Sequence, residues 1–149
     1  MWDLPESLLH FAWCSRVHAS LLEYRWALSL VAEQQGLPLV RHMWLHYAAD
    51  TATYAITEQF LLGPELLACP ALRPSSSSVR CYLPAHSGSW TMVWDSCETD
   101  AADGKCVTCA SPPGEPCVFV RSAAWAAAVK PQSELSAFRA LVSTRRDPI

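Results

Sequence analysis

The stretch QFLLGPELLACPALRPSSSSVRCYLP, residues 59–84, decides how the chain is organised. It begins with an apolar segment, breaks at Pro74 and four serines, and then resumes with alternating apolar and polar residues. Alternation with period two is typical of a half-buried strand, and proline with serine marks a turn. The stretch therefore predicts a strand over ELLACPAL (65–72), a turn, and a second strand over VRCYLP (79–84).

Short strands continue towards the C-terminus. In SWTMVW (89–94), the side chains of Trp90, Met92 and Trp94 fall on one face of a strand. CVFVR (117–121) is another short strand, and the polar residues 95–116 between them read as a turn-rich loop. Several short strands separated by turns predict an antiparallel β-sandwich.

The residues before Gly63 have a different character. Residues 6–35 predict one long helix or two in tandem, stopped by Gly36 and Pro38. The apolar positions that recur every three or four residues predict its buried face; they are Phe11, Cys14, Val17, Leu21, Tyr24, Leu28 and Val31.

Two further elements complete the N-terminal half, and a helix ends the chain. LPLVRHMWLHY (37–47) is apolar at both parities, which predicts a strand covered on both faces, as in a parallel sheet or barrel. Asp50 can cap a short helix that ends at Gly63. A helix from Ser133 is predicted for the tail; its apolar face would comprise Leu135, Phe138 and either Leu141 or Val142.

The bulk composition excludes several classes. The chain has 149 residues, a net charge of −3 and a pI near 5.9, so nucleic acid is not an expected partner. Its apolar runs fall short of the roughly 18–20 residues that a membrane-spanning helix needs. We therefore expect no membrane partner, and the compartment stays open.

Seven cysteines leave at least one without a partner inside the chain. Cys14, Cys69 and Cys117 lie in apolar surroundings and are predicted to be small core residues. The spacings among Cys97, Cys106, Cys109 and Cys117 are nine, three and eight positions, which do not match two ligand pairs of a zinc knuckle. Free thiols or one loop disulfide are expected instead of a metal site.

Taken together, these motifs resemble those of a known family. GLPLVRHMWLHYAADTATYAITEQFLLGPELLACPAL (36–72) resembles the region where glycoside hydrolase family 31 closes its catalytic barrel and enters its C-terminal β-sandwich. The strand VRCYLP, the pair Trp90 and Trp94, and SPPGEPCVFVR (111–121) follow in the family's order. His42 departs from the family's usual proline and Cys69 from a small aliphatic residue. Within the family, the sulfoquinovosidase-like subgroup is the most similar.

The resemblance implies an α+β fold and a division of the chain. Residues 1–62 would be the last helix and strand of a (β/α)8 barrel, residues 63–125 the proximal antiparallel β-sandwich, and residues 126–149 a helical tail. The family is made of retaining α-glycosidases that act on carbohydrate and need no metal or organic cofactor. A barrel strand without its neighbours also exposes backbone edges, so self-association of the isolated chain is expected.

The resemblance also implies that this chain carries no catalytic, substrate-binding or metal-binding residue of its own. The family's nucleophile and acid/base aspartates belong to segments before residue 1, and no W-x-D-x-N-E-like motif is present. None of the fourteen acidic residues matches a catalytic position. The chain alone is therefore expected to be inactive.

Several polar side chains are candidates for a metal-binding, catalytic or positioning role. His42 and His46 have the same parity in the predicted strand, but a third metal ligand is not in view. Glu58 and Glu65 could form a glycosidase carboxyl pair, yet they flank the barrel-to-sandwich hinge and match no motif. Arg41 matches the family's strand arginine, which is predicted to position the strand through a hydrogen bond or an ion pair.

Aromatic and hydroxyl side chains are further candidates for sugar binding or catalysis. Trp44, Trp90 and Trp94 could stack on sugar rings, but sandwich core is the favoured interpretation for the alternating pair. The serines 75–78 form a turn without a nearby activating base. Two other functions stay open: a non-catalytic β-sandwich module that binds carbohydrate or a protein, and a cysteine-based metal or redox module around Cys97–Cys117.

Overall fold

The computed structural model describes residues 5–73, 76–112 and 115–144. A six-stranded antiparallel sheet lies at the centre, with helices on one face and a two-stranded antiparallel sheet on the other. The helices are α1 (Pro5–Ser20), α2 (Leu22–Gln35), α3 (Ser122–Ala127) and α4 (Ser136–Thr144). The strands are β1 (Val40–Arg41), β2 (Phe60–Leu62), β3 (Leu66–Cys69), β4 (Ser78–Leu83), β5 (Ser89–Met92), β6 (Glu98–Asp100), β7 (Lys105–Ala110) and β8 (Cys117–Arg121). The α+β class and the facing antiparallel sheets agree with the sequence prediction.

The first 30 described residues form two helices in tandem. The chain breaks at Leu21 between α1 and α2, and Gly36 ends α2 with a left-handed backbone and a hydrogen bond from its N–H to the Ala32 carbonyl. The predicted apolar face is only partly buried. Tyr24 and Leu28 are buried, whereas Phe11 and Cys14 are exposed. The prediction that Cys14 is a core residue is therefore wrong, because its side chain lies on the exposed side of α1.

The large sheet has the strand order β1-β2-β3-β8-β5-β6, and every described pair is antiparallel. The small sheet pairs β4 with β7 from Ser78↔Ala110 to Leu83↔Lys105. Leu67, Cys117 and Phe119 face the small sheet, while Leu66 and Val120 face the helices. Strands β3 and β8 are thus buried on both sides, which explains why their sequences are continuous apolar runs.

The predicted doubly covered strand over residues 37–47 is wrong. Only Val40–Arg41 is extended, and it pairs antiparallel with β2. His42 caps a 3-10 turn over Met43–Leu45, since its Nδ1 accepts a hydrogen bond from the Trp44 N–H at 3.3 Å. A side chain that bonds the local backbone competes with strand pairing, and here it ends the strand.

The predicted helix from Asp50 to Gly63 is also wrong beyond its first turn. Asp50 caps a 3-10 helix, as expected of this residue, but that helix ends at Ala55. The chain then becomes strand β2, which pairs with β1 and β3. Pairing on both edges satisfies the backbone of Phe60–Leu62 and overrides its helical pattern.

The segment 95–116 is more ordered than a turn-rich loop. It contains β6 and β7, and the second of these completes the small sheet. Val107 and Cys109 point into the core from β7, while the other residues of this strand are exposed. The alternation of buried and exposed residues in β7 is hard to detect in the sequence, because its lysine, threonine and cysteine residues make the difference in hydrophobicity between the two faces of the strand small.

Helices α3 and α4 cover the outer face of the large sheet. Helix α3 was not predicted; it follows β8 directly and buries Trp125. Helix α4 begins at Ser136, three residues after the predicted start, and the predicted face is confirmed by the burial of Leu135, Phe138 and Val142. None of the helices in the described ranges is long and apolar enough to cross a membrane.

The proposed division at residue 63 runs through the large sheet. Strands β1 and β2 precede residue 63, yet they extend the same sheet that contains β3 and β8. Residues 1–4 and 145–149 lie outside the described ranges. The division into barrel end (1–62), sandwich (63–125) and tail (126–149) stays a prediction about a longer protein.

Candidate functional site

Arg41 is the centre of a buried polar corner at the edge of the large sheet. Its Nε donates to the Pro38 carbonyl at 2.6 Å, and its Nη1 donates to His46 Nε2 at 2.9 Å. The side chain is buried, and Nη2 has no hydrogen-bond partner among the described residues. The predicted role of Arg41 as a hydrogen-bond partner that positions its strand is confirmed, and one donor is left over.

The charges around this corner set the protonation of its neighbours. Partial burial and the positive charges of Arg41 and Arg121 lower the pKa of His46, so the imidazole favours the neutral form that accepts the hydrogen bond from Arg41. Arg121 Nη1 also donates to the Tyr47 hydroxyl at 3.3 Å. Burial raises the pKa of Tyr47, and Arg121 opposes that shift.

Glu65 shares Arg121 with this corner. Its carboxylate lies 3.8 Å from Arg121 Nε, and both side chains are about one-third exposed. Burial raises the pKa of Glu65, although Arg121 acts in the opposite direction. An ion pair this open to solvent contributes little to stability. It orients Arg121 between Glu65 and Tyr47.

Tyr24 ties helix α2 to the turn between β2 and β3. Its hydroxyl donates to the Leu62 carbonyl at 2.9 Å and accepts from the Glu65 N–H at 3.1 Å. Gly63 lies between these two backbone groups with a φ of +60°. A Cβ at this position would meet the Tyr24 hydroxyl and lie 2.6 Å from Leu28 Cδ2. The glycine of QFLLG is therefore required by both its backbone conformation and the close approach of α2.

Gln59 joins the two sheets. Its Nε2 donates to the Tyr82 carbonyl at 2.7 Å, and its Oε1 accepts from the Tyr82 N–H at 2.9 Å. The amide of a buried glutamine thus pairs with both backbone groups of one residue in β4. This pairing holds the start of β2 against the small sheet and explains the first residue of QFLLG.

Asp50 fixes the 3-10 segment to the same strand. Its Oδ1 caps that helix, while its Oδ2 accepts from the Tyr82 hydroxyl at 2.8 Å and the Ala85 N–H at 2.7 Å. Burial, together with the hydrogen bond to Asp50, raises the pKa of Tyr82 to about 12. Gln59, Asp50 and Tyr82 therefore lock the segment between β1 and β2 into one position.

A set of large hydrophobic side chains is exposed in the N-terminal half of the chain. Its members are Leu8, Leu9, Phe11, Leu22, Trp26, Leu30, Val40, Trp44, Leu45, Tyr54 and Phe60. Trp26 is 64% exposed and Phe11 55%. We call this set the N-terminal apolar surface. Large apolar side chains are thus left open to solvent on several elements of this half.

The histidine and glutamate pairs singled out in the sequence are not assembled into sites. His42 bonds the backbone of Trp44, whereas His46 bonds Arg41. Glu58 is exposed and lines a cavity of about 350 Å³ with Gln59 and Arg80. Glu65 is engaged with Arg121.

The three tryptophans have different environments. Trp90 is fully buried and donates from Nε1 to the Ser87 hydroxyl at 2.7 Å. Trp94 is half-buried and donates to the Pro116 carbonyl at 2.6 Å. Trp44 is exposed, and its ring lies nearly parallel to that of Tyr54, with 6.4 Å between the ring centroids. Sandwich core is thus the observed place of Trp90.

The serine turn supplies no nucleophile in the part of it that is described. Ser75 lies outside the described residues, and Ser76 Oγ donates to the Ser78 carbonyl at 2.6 Å. A hydroxyl used to close a turn matches the structural role predicted for this segment.

The cysteines group differently from their order in the chain. Cys69 and Cys81 form a disulfide, Cys109 and Cys117 are buried free thiols, and Cys14, Cys97 and Cys106 are exposed. Burial raises the pKa of the Cys109 and Cys117 thiols. Of the two alternatives predicted for the loop cysteines, free thiols are confirmed and a loop disulfide is not formed.

The polar corner, the Tyr24 contact and the Gln59–Asp50 contacts share one property. Each fixes a backbone segment between residues 36 and 65 against a neighbouring element. Their signals in the sequence were Arg41, Asp50, the motif QFLLG and the place of Tyr24 on the predicted buried face of the helix; Tyr82 gave none.

Comparisons with known proteins agree with this picture. Residues 36–124 match the family model of the glycosyl hydrolase family 31 C-terminal domain. A sulfoquinovosidase from Agrobacterium fabrum is 35% identical over 121 residues, which are 80% of this chain and 18% of that protein. A sulfoquinovosidase from Escherichia coli is 34% identical over 123 residues, 82% of this chain and 17% of that protein.

A solved structure shows the same fold. The family 31 sulfoquinovosidase from E. rectale, in complex with an aza-sugar inhibitor, superposes with a TM-score of 0.81 and 22% identity. The superposition covers 97% of this chain and 20% of that protein, so the chain spans about one-fifth of the length of these relatives. Because the family model covers more than half of its residues, the chain belongs to glycosyl hydrolase family 31.

Proposed function

We propose that this chain acts as the C-terminal part of a retaining α-glycosidase of the sulfoquinovosidase-like subgroup. In this role residues 1–62 complete the catalytic (β/α)8 barrel and the following strands form the proximal β-sandwich. The two sulfoquinovosidases that match over about four-fifths of the chain support this choice of subgroup.

The N-terminal apolar surface is the observation that carries the proposal. Helices α1 and α2 and the segment around Trp44 expose large apolar side chains on the part of the chain assigned to the barrel end. A covering barrel would bury these apolar side chains and remove them from water.

The chemistry would reside in the covering part. Retaining hydrolysis uses a carboxylate nucleophile and a carboxylic acid about 5–5.5 Å apart, on either side of the scissile bond. In barrel enzymes such groups stand at the C-terminal ends of different strands. The contribution of this chain is positional: Tyr24, Gln59 and Asp50 hold the segment between residues 36 and 65, most of which belongs to the proposed barrel end.

A chimeric enzyme tests the proposal. The C-terminal part of the Agrobacterium fabrum sulfoquinovosidase that aligns with this chain is replaced by the chain itself. Hydrolysis of an aryl α-sulfoquinovoside is then measured. We expect a soluble chimera that retains activity, whereas the isolated chain shows no turnover above a buffer blank.

Two controls define the outcome. An Arg41→Met chimera keeps the length of the side chain but removes the donors, and we expect it to lose activity or stability relative to the parent chimera. A folded parent chimera without activity contradicts the proposed docking. Turnover by the isolated chain that survives a second purification and disappears in Glu58→Gln or Glu65→Gln would show that the active site lies within this chain.

A further inference from the structure

Four buried cysteines meet between the two sheets. In the large sheet, Cys69 of β3 lies directly opposite Cys117 of β8. In the small sheet, Cys81 of β4 pairs with Val107, two positions from Cys109 on β7, so that these two cysteines are diagonal neighbours. Each sheet therefore contributes two cysteines, and all four belong to the core cluster that the sheets share.

The sulfur atoms are close enough to act together. The Sγ atoms of Cys69, Cys81 and Cys117 all lie within 4.8 Å of one another, and Cys109 stands on β7 diagonally across from Cys81. A tetrahedral zinc–thiolate site has Zn–S distances of about 2.3 Å, which puts neighbouring sulfurs about 3.8 Å apart. Three of the four sulfurs therefore already lie close to the spacing of such a site, and Cys109 would complete it by turning its side chain towards them.

We propose that Cys69, Cys81, Cys109 and Cys117 form a binding site for one Zn²⁺ ion when the Cys69–Cys81 disulfide is reduced. The disulfide seen in the structure is the oxidised, metal-free state of the same four residues. Four thiolates from two facing sheets would cross-link the sandwich as the disulfide does. This site lies between the sheets and is independent of the proposed docking to a barrel.

The conversion of the disulfide into the zinc site balances in atoms and electrons when a dithiol supplies the reducing equivalents. A dithiol reductant transfers two electrons and two protons to the Cys69–Cys81 disulfide and itself becomes a disulfide. The S–S bond breaks and leaves two thiols. Zn²⁺ then forms four Zn–S bonds and displaces the four thiol protons to solvent.

Spacing along the chain gives a different grouping, because it joins Cys97 and Cys106 to Cys109 and Cys117. Those first two cysteines are exposed, whereas the sheets bring Cys69 and Cys81 to the buried pair. A ligand set is defined by distance in the fold rather than by separation in sequence. The exposed cysteines therefore serve as matched controls.

Cobalt titration of the full chain tests the site. The chain is reduced with a phosphine under anaerobic conditions, and Co²⁺ is added as a spectroscopic probe for tetrahedral thiolate coordination. We expect one Co²⁺ per chain, displaced by one Zn²⁺. Cys117→Ser and Cys109→Ser should each weaken binding by at least about 100-fold, whereas Cys97→Ser/Cys106→Ser should leave it unchanged.

A second measurement does not depend on the folding of the variants. The reduced wild-type chain is alkylated with and without Zn²⁺, and the modified cysteines are identified by mass spectrometry. We expect Zn²⁺ to slow alkylation of the four buried cysteines and not of Cys14, Cys97 or Cys106. The proposal would be overturned by equal alkylation rates with and without Zn²⁺ or by the absence of Co²⁺–thiolate absorption bands. Bands that persist in a folded Cys117→Ser variant would overturn it as well.

Discussion

Replacement of Gly63 by alanine tests whether helix α2 and the β2–β3 turn are held together as described. The φ of +60° costs an L-residue about 1 kcal/mol or more. The new methyl group also meets the Tyr24 hydroxyl, which bonds the Leu62 carbonyl and the Glu65 N–H. Loss of those two hydrogen bonds adds about 1 kcal/mol each. We expect Gly63→Ala to lower the free energy of unfolding by about 3 kcal/mol.

Gly36→Ala is the matched control. Gly36 has a φ of +71°, but a Cβ there meets no atom within 4 Å. Urea unfolding followed by tryptophan fluorescence and circular dichroism should show a loss of only about 1 kcal/mol. Tyr24→Phe in the Gly63→Ala background should recover little, since Leu28 also obstructs the methyl group. Equal destabilisation by Gly63→Ala and Gly36→Ala would refute the steric argument.

Three further predictions concern the core, the apolar surface and pH. Trp90→Ala should destabilise the chain by about 3–5 kcal/mol in urea unfolding, whereas exposed Trp44→Ala should change stability by less than about 0.5 kcal/mol; similar losses would contradict the different burial of the two rings. Trp26→Lys should reduce self-association of the isolated chain in light scattering, and Val129→Lys, at an equally exposed site outside the N-terminal apolar surface, should not. His46 has a lowered pKa in the folded chain, so its contribution to stability is complete above its unfolded pKa of about 6.5 and declines as pH falls through the folded pKa. His46→Gln should therefore flatten this part of the pH dependence of unfolding, and an unchanged slope would contradict the assigned environment.

The elements that the sequence predicted correctly are those with a strong local pattern. The helical period of residues 6–35 and the stop at Gly36 define α1 and α2. The apolar runs that became β3 and β8 are long enough, relative to their turns, to read as strands. The ordered motifs over about residues 8–125 carried the family resemblance, and the family model matches residues 36–124 of that span.

The elements that were missed depend on partners distant in sequence. The extended pattern of residues 37–47 gives way to a 3-10 turn because His42 bonds the local backbone. The helical pattern before Gly63 gives way to β2, since β1 and β3 pair with both of its edges. Strand β7 was hidden by its weak apolar contrast and formed through pairing with β4.

The family, the antiparallel sandwich character and the turn from apolar strand to VRCYLP can be inferred from the sequence alone, because they depend on local periodicity and on motifs in a fixed order. Which groups meet depends on the tertiary structure. It placed the Tyr24 hydroxyl against Gly63, the Gln59 amide on the backbone of Tyr82, and four cysteines from four strands in one cluster. Such contacts join residues up to 48 positions apart, such as Cys69 and Cys117. They are set by sheet order and register, which no local pattern in the chain encodes.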